Sequence, residues 1–423
     1  MRLGITVHQS HSARYWQLSL LILAAGTIYP IPYIRQNFEN SMLETFRMTQ
    51  AQLGECSSLL GLMFFLTYAP SGWLADRFKP NKLLAFSMAG TGLLALWLAT
   101  APPIAHIKVI FLGLGITSGL TLWGSLIKTT SLLAPHDQQG RYFGLLESGR
   151  GIVEALLATI ALALFAFYLE ELMADTSTAM TVVINFYGGT ALALSPLILL
   201  FLQTPERAAA DPARHHGLGG TWADIKVLIG NQSVWLSGLV ILIGYQLFWV
   251  TYSFAGLLES VFGLSAITVG TITVARLWMR PIGPLVAGFL GDKFHAVRFL
   301  SWLLLAAAIA LVSMPLLPLG AGLIVLLPIV LIVSLLTFGI RGIYWATLDD
   351  CNVSAPTRGL AIGLISVLAY TPDIYVPMVQ ALCLSIWEGK AGYAAYYSVF
   401  ASTGVLGFWA ARRLVKISEQ SSG

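Results

Sequence analysis

Six basic residues, Arg35, Lys128, Arg150, Arg276, Arg280 and Arg341, fall inside apolar stretches of the chain, where the clear acids are only Glu147, Glu154 and Asp373. A charge at mid-membrane depth costs roughly 2.5 kcal/mol or more, so such groups face a partner or a wet cavity. Glu147, Arg150 and Glu154 stand at i, i+3 and i+7, on one helix face. They read most simply as a self-satisfied salt-bridge ladder. The alternative is proton coupling, with one glutamate changing charge, and Asp373 joins Glu147 and Glu154 as a coupling candidate. The other bases lack acidic neighbours in sequence. Two or three of them meeting in one cavity would attract an anion, and arginine's planar fork suits carboxylate, phosphate or sulfonate. The competing reading pairs each base with one of the three acids or a backbone carbonyl; for Arg35 and Arg150 pairing or snorkelling weighs as much as ligand contact, whereas Arg280 and Arg341 lean toward a site.

Aromatic residues supply a second ingredient. Tyr245, Gln246, Trp249 and Tyr252 place rings with polar tips on one helical face, Tyr29 and Tyr33 are one turn apart, and Tyr344 adjoins Trp345. Rings near helix ends often form interfacial belts, but the 245–252 group lies deep and one-sided, which favours cavity lining.

The elements that must position these groups follow from composition. The 423 residues are 57% hydrophobic and only 10% charged, with a mean hydropathy of +0.76, whereas a soluble domain carries roughly 25% charged residues. The apolar residues arrive in runs of about 20, the length that crosses a hydrocarbon core as helix. The chain is therefore an all-α polytopic membrane protein. Twelve spans are expected, near 15–36, 50–74, 82–101, 106–131, 141–168, 178–203, 233–262, 266–290, 297–317, 321–348, 357–386 and 391–415. The domains expected are a six-helix bundle over 1–203, a hydrophilic linker over 204–232 and a second bundle over 233–423. No small-residue cleavage site follows the polar N-terminal stretch, so the first span reads as retained. Cys56, Cys351 and Cys383 show no metal spacing and read as packing residues. No metal or cofactor is expected, and the absence of a Walker-type loop, His-Glu-x-x-His or Gly-x-Ser-x-Gly supports neither ATP hydrolysis nor a hydrolase. The protein reads as not an enzyme.

One short charged turn recurs. Gly72-Trp73-Leu74-Ala75-Asp76-Arg77-Phe78 is echoed by Gly288-Phe289-Leu290-Gly291-Asp292-Lys293-Phe294, and both the glycine and the aspartate sit 216 residues beyond their first copies, as Tyr245 does beyond Tyr29. The glycines suggest close helix approach, and the acid-base pairs suggest helix-end locks. Lysine and arginine side the loops unequally: fifteen fall in segments assigned to one side and three, Arg47, Lys108 and Lys390, in those of the other. That asymmetry puts both termini and the linker in the cytoplasm.

Two sets of six spans, a linker between them and a duplicated Gly-x-Leu-x-Asp-Arg/Lys turn after spans 2 and 8 resemble the major facilitator superfamily. The first copy matches at Gly72, Leu74, Asp76, Arg77 and Lys82 and departs at Pro80. Gly26-Thr27-Ile28-Tyr29, with Gln139-Gly140-Arg141 through Gly151, is similar to the YihN-like branch of bacterial transporters. The resemblance implies two pseudo-symmetric bundles, a site near the bilayer midplane between them and alternating access by rocking. It also implies a bacterial inner (plasma) membrane location, a monomer, and no nucleic-acid partner. Spans 1, 4, 7 and 10 would line the cavity. The substrate-binding candidates are then Tyr29, Arg35, Lys128, Tyr245, Gln246, Trp249, Tyr252, Arg276, Arg280, Arg341 and Tyr344. The coupling candidates are Glu147, Arg150, Glu154 and Asp373. The gating candidates are Gly72, Asp76, Arg77, Gly288, Asp292 and Lys293, unless the turns are only topology determinants. The function expected is secondary active transport of a small anionic organic solute, such as a carboxylate, sugar acid or organophosphate, with protons as candidate coupling ion. Export of amphipathic or neutral compounds stays open, as does a non-transporting receptor on the same fold.

Overall fold

The structure, a computed structural model, describes residues 11–134, 139–203, 226–351 and 358–422. The N-terminal tail and most of the expected linker lie outside the described residues, as do the side chains of Asp76, Arg141 and Arg358. Every regular element among the described residues is helical apart from turns. Eight helices are long and apolar enough to cross a membrane, from Pro80–Ala99 through Gln232–Ser260 to Leu364–Ile386. Four further helical segments, over 11–45, 50–77, 266–294 and 389–422, carry breaks or ionisable residues that interrupt a long apolar run.

Several of the expected spans are broken, and proline accounts for the breaks near 30, 280 and 371. The first divides into α1 (His11–Ile28) and α2 (Arg35–Thr45) around Pro30 and Pro32, whose rings cannot continue the ladder. Helicity therefore extends to Thr45 rather than stopping near 36. α3 (Gln50–Arg77) starts with a capping box from Thr49 and Gln52. It is followed by α4 (Pro80–Ala99), which begins on a proline already set for a first turn. α5 (Ile104–Gly115) widens into a π-type stretch, Ile116–Trp123, before α6 (Gly124–Leu133). α7 (Gln139–Ala166) and α8 (Thr176–Phe201) complete the first set.

The second set opens with α9 (Gln232–Val250), a tight turn at Thr251–Ser253 and α10 (Phe254–Ser260). α11 (Ala266–Leu277) and α12 (Met279–Phe294) form one broken span, with Pro281 and Pro284 at the break. α13 (Ala296–Leu316) and α14 (Leu323–Ile343) follow. α15 (Arg358–Ala369) and α16 (Pro372–Ile386) are separated at Tyr370 and Thr371, before α17 (Gly389–Ser422). The duplicated turns lie at one end of the bundle and the 45–50 and 260–266 connections at the other; the two are called the inner and outer ends after the sidedness expected from the loop charges.

Two large hydrophobic cores form among the described residues, one from buried residues between Leu18 and Leu202 and one from those between Leu228 and Val415, and a small third cluster of Ala155, Ala158, Val274 and Leu277 joins α7 to α11. The 216-residue repeat reappears in their packing. α4 crosses α8 where Gly188 stands 3.2 Å, measured from an added Cβ, from the carbonyl oxygen of Gly92. α17 crosses α13 at Gly404, whose added Cβ would meet that of Ala308 at 2.7 Å. Positions 308 and 404 are 92 and 188 plus 216. Without a hydrophobic drive between helices in lipid, small residues at the crossing are what permit close packing.

Candidate functional site

A cavity of about 520 Å³ lies between the two cores, toward the inner end. Its first-half wall comes from the break between α1 and α2, from α3 and from α7. Its second-half wall comes from α9, α12 and α14. Three guanidiniums, Arg150, Arg280 and Arg341, face two carboxylates, Glu147 and Glu154, so its ionic lining is net positive.

The three arginines are held differently. Arg150 pairs with Glu147 at 3.0 Å and sits over the Tyr29 ring at 5.0 Å. Arg280 pairs with Glu154 across the two cores. Arg341 makes no ion pair or hydrogen bond with any described residue; its guanidinium instead lies over the rings of Phe248 at 4.3 Å and Tyr245 at 5.5 Å. Cation–π contact stabilises a desolvated guanidinium while leaving its N–H fork unsatisfied. The α7 residues are therefore a ladder only at Glu147 and Arg150. Glu154, one further turn along, points to the other half, which no spacing within one helix could disclose.

Beyond the cavity the outer end is tied together. Arg276, fully buried, donates to Thr251 Oγ1 at 2.6 Å and to Gln36 Oε1 at 2.8 Å. Gln36 in turn donates to Glu154 at 3.4 Å. Arg35 pairs with Glu39 at 2.8 Å and donates to Gln380 Oε1 at 2.7 Å and Ser57 Oγ at 3.2 Å. Nearer the surface, Asn40 donates to Ser260 at 3.0 Å. Close helix approach adds to these ties: a methyl on Gly54 would meet Ala381 Cβ at 3.1 Å, and one on Gly61 would collide with the Asp373 backbone.

The inner end contrasts with this. A methyl on Gly72, Gly144 or Gly288 would meet no heavy atom within 4 Å, so the close approach expected at Gly72 and Gly288 is absent. Arg77 stacks over Trp73 at 4.1 Å and Lys293 over Phe294 at 5.4 Å. Asp292 is exposed and makes no ion pair among the described residues. Asp76 lies outside the described side chains.

Of the residues singled out from sequence, the cavity brings together Tyr29, Tyr245, Tyr252, Arg280, Arg341 and Tyr344 with Glu147, Arg150 and Glu154. It does not include Arg35 or Arg276, which belong to the outer ties, or Lys128, whose Nζ donates to the Ala75 carbonyl at 2.9 Å near the end of α3. Gln246 turns away to Thr403 and to Tyr375, whose hydroxyl donates to it at 2.5 Å. It stands about 100° around the helix from Tyr245. Trp249 and Tyr245 both donate to Asp373 Oδ1, the latter at 2.8 Å. Asp373 is therefore a buried carboxylate held by neutral donors, just behind the aromatic wall.

Sequence reasoning missed Tyr68 and Trp123 as lining residues, and Gln36, Glu39 and Gln380 as partners. Glu39 was overlooked because the first span was ended near 36. Its i, i+4 spacing from Arg35 was the available signal. Tyr33 reaches across the cores to Tyr252, with ring centroids 5.2 Å apart.

Comparison with known proteins places this geometry. Residues 17–377 match the Major Facilitator Superfamily. The inner membrane protein YihN of Escherichia coli (strain K12) is 26% identical over 406 residues, 95% of each chain. Inner membrane protein YqcE of the same organism is 26% identical over 382 residues, 87% of each. Among solved structures, a bacterial homolog of the human lysosomal transporter Spinster, inward-facing and unoccupied, superposes with a TM-score of 0.74 at 15% identity, covering 96% of this chain and 99% of that one. The nucleoside transporter NupG superposes with a TM-score of 0.70 at 16% identity, covering 95% and 99%. These two likenesses speak to the fold.

Proposed function

The chain belongs to the Major Facilitator Superfamily, and from that premise we propose that it is a secondary active transporter of a small anionic organic solute, a carboxylate, sugar acid or organophosphate. Arg341 carries the reading. It is a guanidinium on the cavity wall, held by rings alone, with its hydrogen-bonding fork available to an anion. Arg150 and Arg280 add positive potential, and the tyrosines add polar tips to an otherwise apolar lining. A volume near 520 Å³ suits a small molecule. The solute binds between two bundles, residues 1–203 and 233–423 joined by the 204–232 linker, and rocking of one against the other gives alternating access. The tied outer end and open inner end correspond to an inward-facing state, with both termini and the duplicated turns in the cytoplasm. In the opposite state the inner helix ends close on Gly72 and Gly288, and Asp76, Arg77, Asp292 and Lys293 lock them. Protons are the coupling ion in this reading, and Asp373, buried beside the cavity with no ion pair among the described residues, is the first carrier to test, ahead of Glu147 and Glu154.

The test is thermal stabilisation of the purified protein by succinate, glucuronate and glycerol 3-phosphate, set against neutral lipophiles. A ligand at 100 times its dissociation constant stabilises the folded state by roughly 2.7 kcal/mol. Stabilisation by an anion in wild type and its loss in Arg341→Ala are expected. The ring-rich wall supports a second reading, export of neutral or amphipathic compounds. Stabilisation by neutral compounds alone, unchanged in Arg341→Ala, would establish that reading and overturn the first.

A further inference from the structure

The cavity contains its own anion. Glu154 reaches from α7 to Arg280 on α12, so the carboxylate that neutralises one cavity arginine is also a tie between the two bundles. One turn toward the outer end on the same span, Arg276 is fully buried and among the described residues has only neutral partners, Thr251, Gln36 and the Tyr252 ring at 5.5 Å, with its Nε unsatisfied. A buried guanidinium without a carboxylate carries most of its desolvation penalty uncompensated. Gln36 already bridges the two, accepting from Arg276 and donating to Glu154. Two arginines one turn apart thus share one carboxylate, and the one facing the cavity currently holds it.

Resting on the reading of the cavity as an anion site, we propose that Glu154 is a built-in stand-in for the solute: an incoming anion takes its place on Arg280, and Glu154 is handed through Gln36 to Arg276. The exchange strands no charge. Arg280 trades one carboxylate for another anion, and Arg276 gains the partner it lacks. It also links occupancy to conformation, because Glu154 then joins the bundles at Arg276, one turn nearer the outer end, instead of at Arg280 on the cavity wall. Neutral solutes have no means of displacing Glu154 from Arg280, so the same carboxylate sets specificity. Glu154 and Arg276 act as positioning residues, the solute being held by Arg280 and Arg341.

Binding of succinate and glycerol 3-phosphate to the full-length protein tests the exchange. Removing the competitor in Glu154→Gln should tighten binding roughly tenfold, the lower range for close charge pairs, while Arg276→Gln, which removes the place Glu154 moves to, should weaken it by a similar factor. Glu154→Gln/Arg276→Gln should bind like Glu154→Gln alone, because with no carboxylate to hand over the second arginine no longer matters. Unchanged or weaker binding in Glu154→Gln, or additive effects in the double variant, would overturn the exchange. A second readout leaves the network intact. In an Asn40→Cys/Ser260→Cys background, the pair stands at the outer end on opposite bundles while the native cysteines are all buried. Disulfide formation there should quicken when either anion is added, because the Glu154 to Arg276 pair draws the bundles together toward that end, and an unaltered or slower rate with anion bound would equally overturn it. Wild type that binds neither anion, with disulfide formation still slowed by Glu154→Gln, would instead sink the anionic-solute reading and leave Glu154 as a tie alone.

Discussion

Arg35 separates a ligand-binding role from a structural one most sharply. Its side chain and that of Glu39 are almost fully buried, with Arg35 2.8 Å from Glu39 Oε2, and among the described residues Glu39 Oε1 accepts from the amides of Gln50 at 2.8 Å and Gln380 at 3.2 Å. Truncating one partner of a buried pair costs about 3–5 kcal/mol, because the remaining charge stays desolvated. Two neutral donors persist around Glu39, so Arg35→Met belongs at the low end, about 3 kcal/mol. In Arg35→Met/Glu39→Gln no charge is left to strand, and an apolar replacement of a buried pair is often near neutral. The double variant should therefore recover to within about 1 kcal/mol of wild type. Thermal unfolding in detergent measures the stability, and anion binding is measured alongside. Arg35→Met should melt early but bind anions with wild-type affinity once folded at lower temperature. Loss of binding without loss of stability, or a double variant as unstable as the single one, would refute the assignment of Arg35 to the outer tie.

Asp373→Ala strands the Tyr245 hydroxyl and the Trp249 N–H, each worth about 1–3 kcal/mol when buried and unsatisfied. Asp373→Asn keeps an acceptor and should melt close to wild type, while uptake into proteoliposomes driven by a pH gradient falls to the level without the gradient. Gly61→Ala drives a methyl into the Asp373 backbone where α3 crosses α16. Overpacking of this kind costs roughly 1–3 kcal/mol, and it should slow the outer Asn40→Cys/Ser260→Cys disulfide as well as lower the melting temperature. Gly72→Ala meets open space and should leave melting within about 0.5 kcal/mol of wild type. Its transport turnover should nevertheless drop, because the closure proposed at that end belongs to the opposite state.

Membrane class, helical content and the internal repeat were legible from the chain alone, since each rests on local physics. Twenty-residue apolar runs admit only helix in lipid, and a motif copied at an offset of 216 marks duplication before any contact is known. The same offset recurs at the crossings of 92 with 188 and of 308 with 404, where small residues decide how near two helices come. Pairing of charges was beyond the sequence. Glu147 with Arg150 could be read because both partners share one helix face. Glu154 with Arg280, Arg35 with Gln380 and Arg276 with Gln36 join residues 126, 345 and 240 positions apart, and nothing in periodicity selects one distant partner over another. Arg341 was a cavity candidate among six similar bases. Only the packing of α14 against α9, which sets its guanidinium on rings at the cavity wall with no hydrogen bond to a described residue, distinguishes it from the other five.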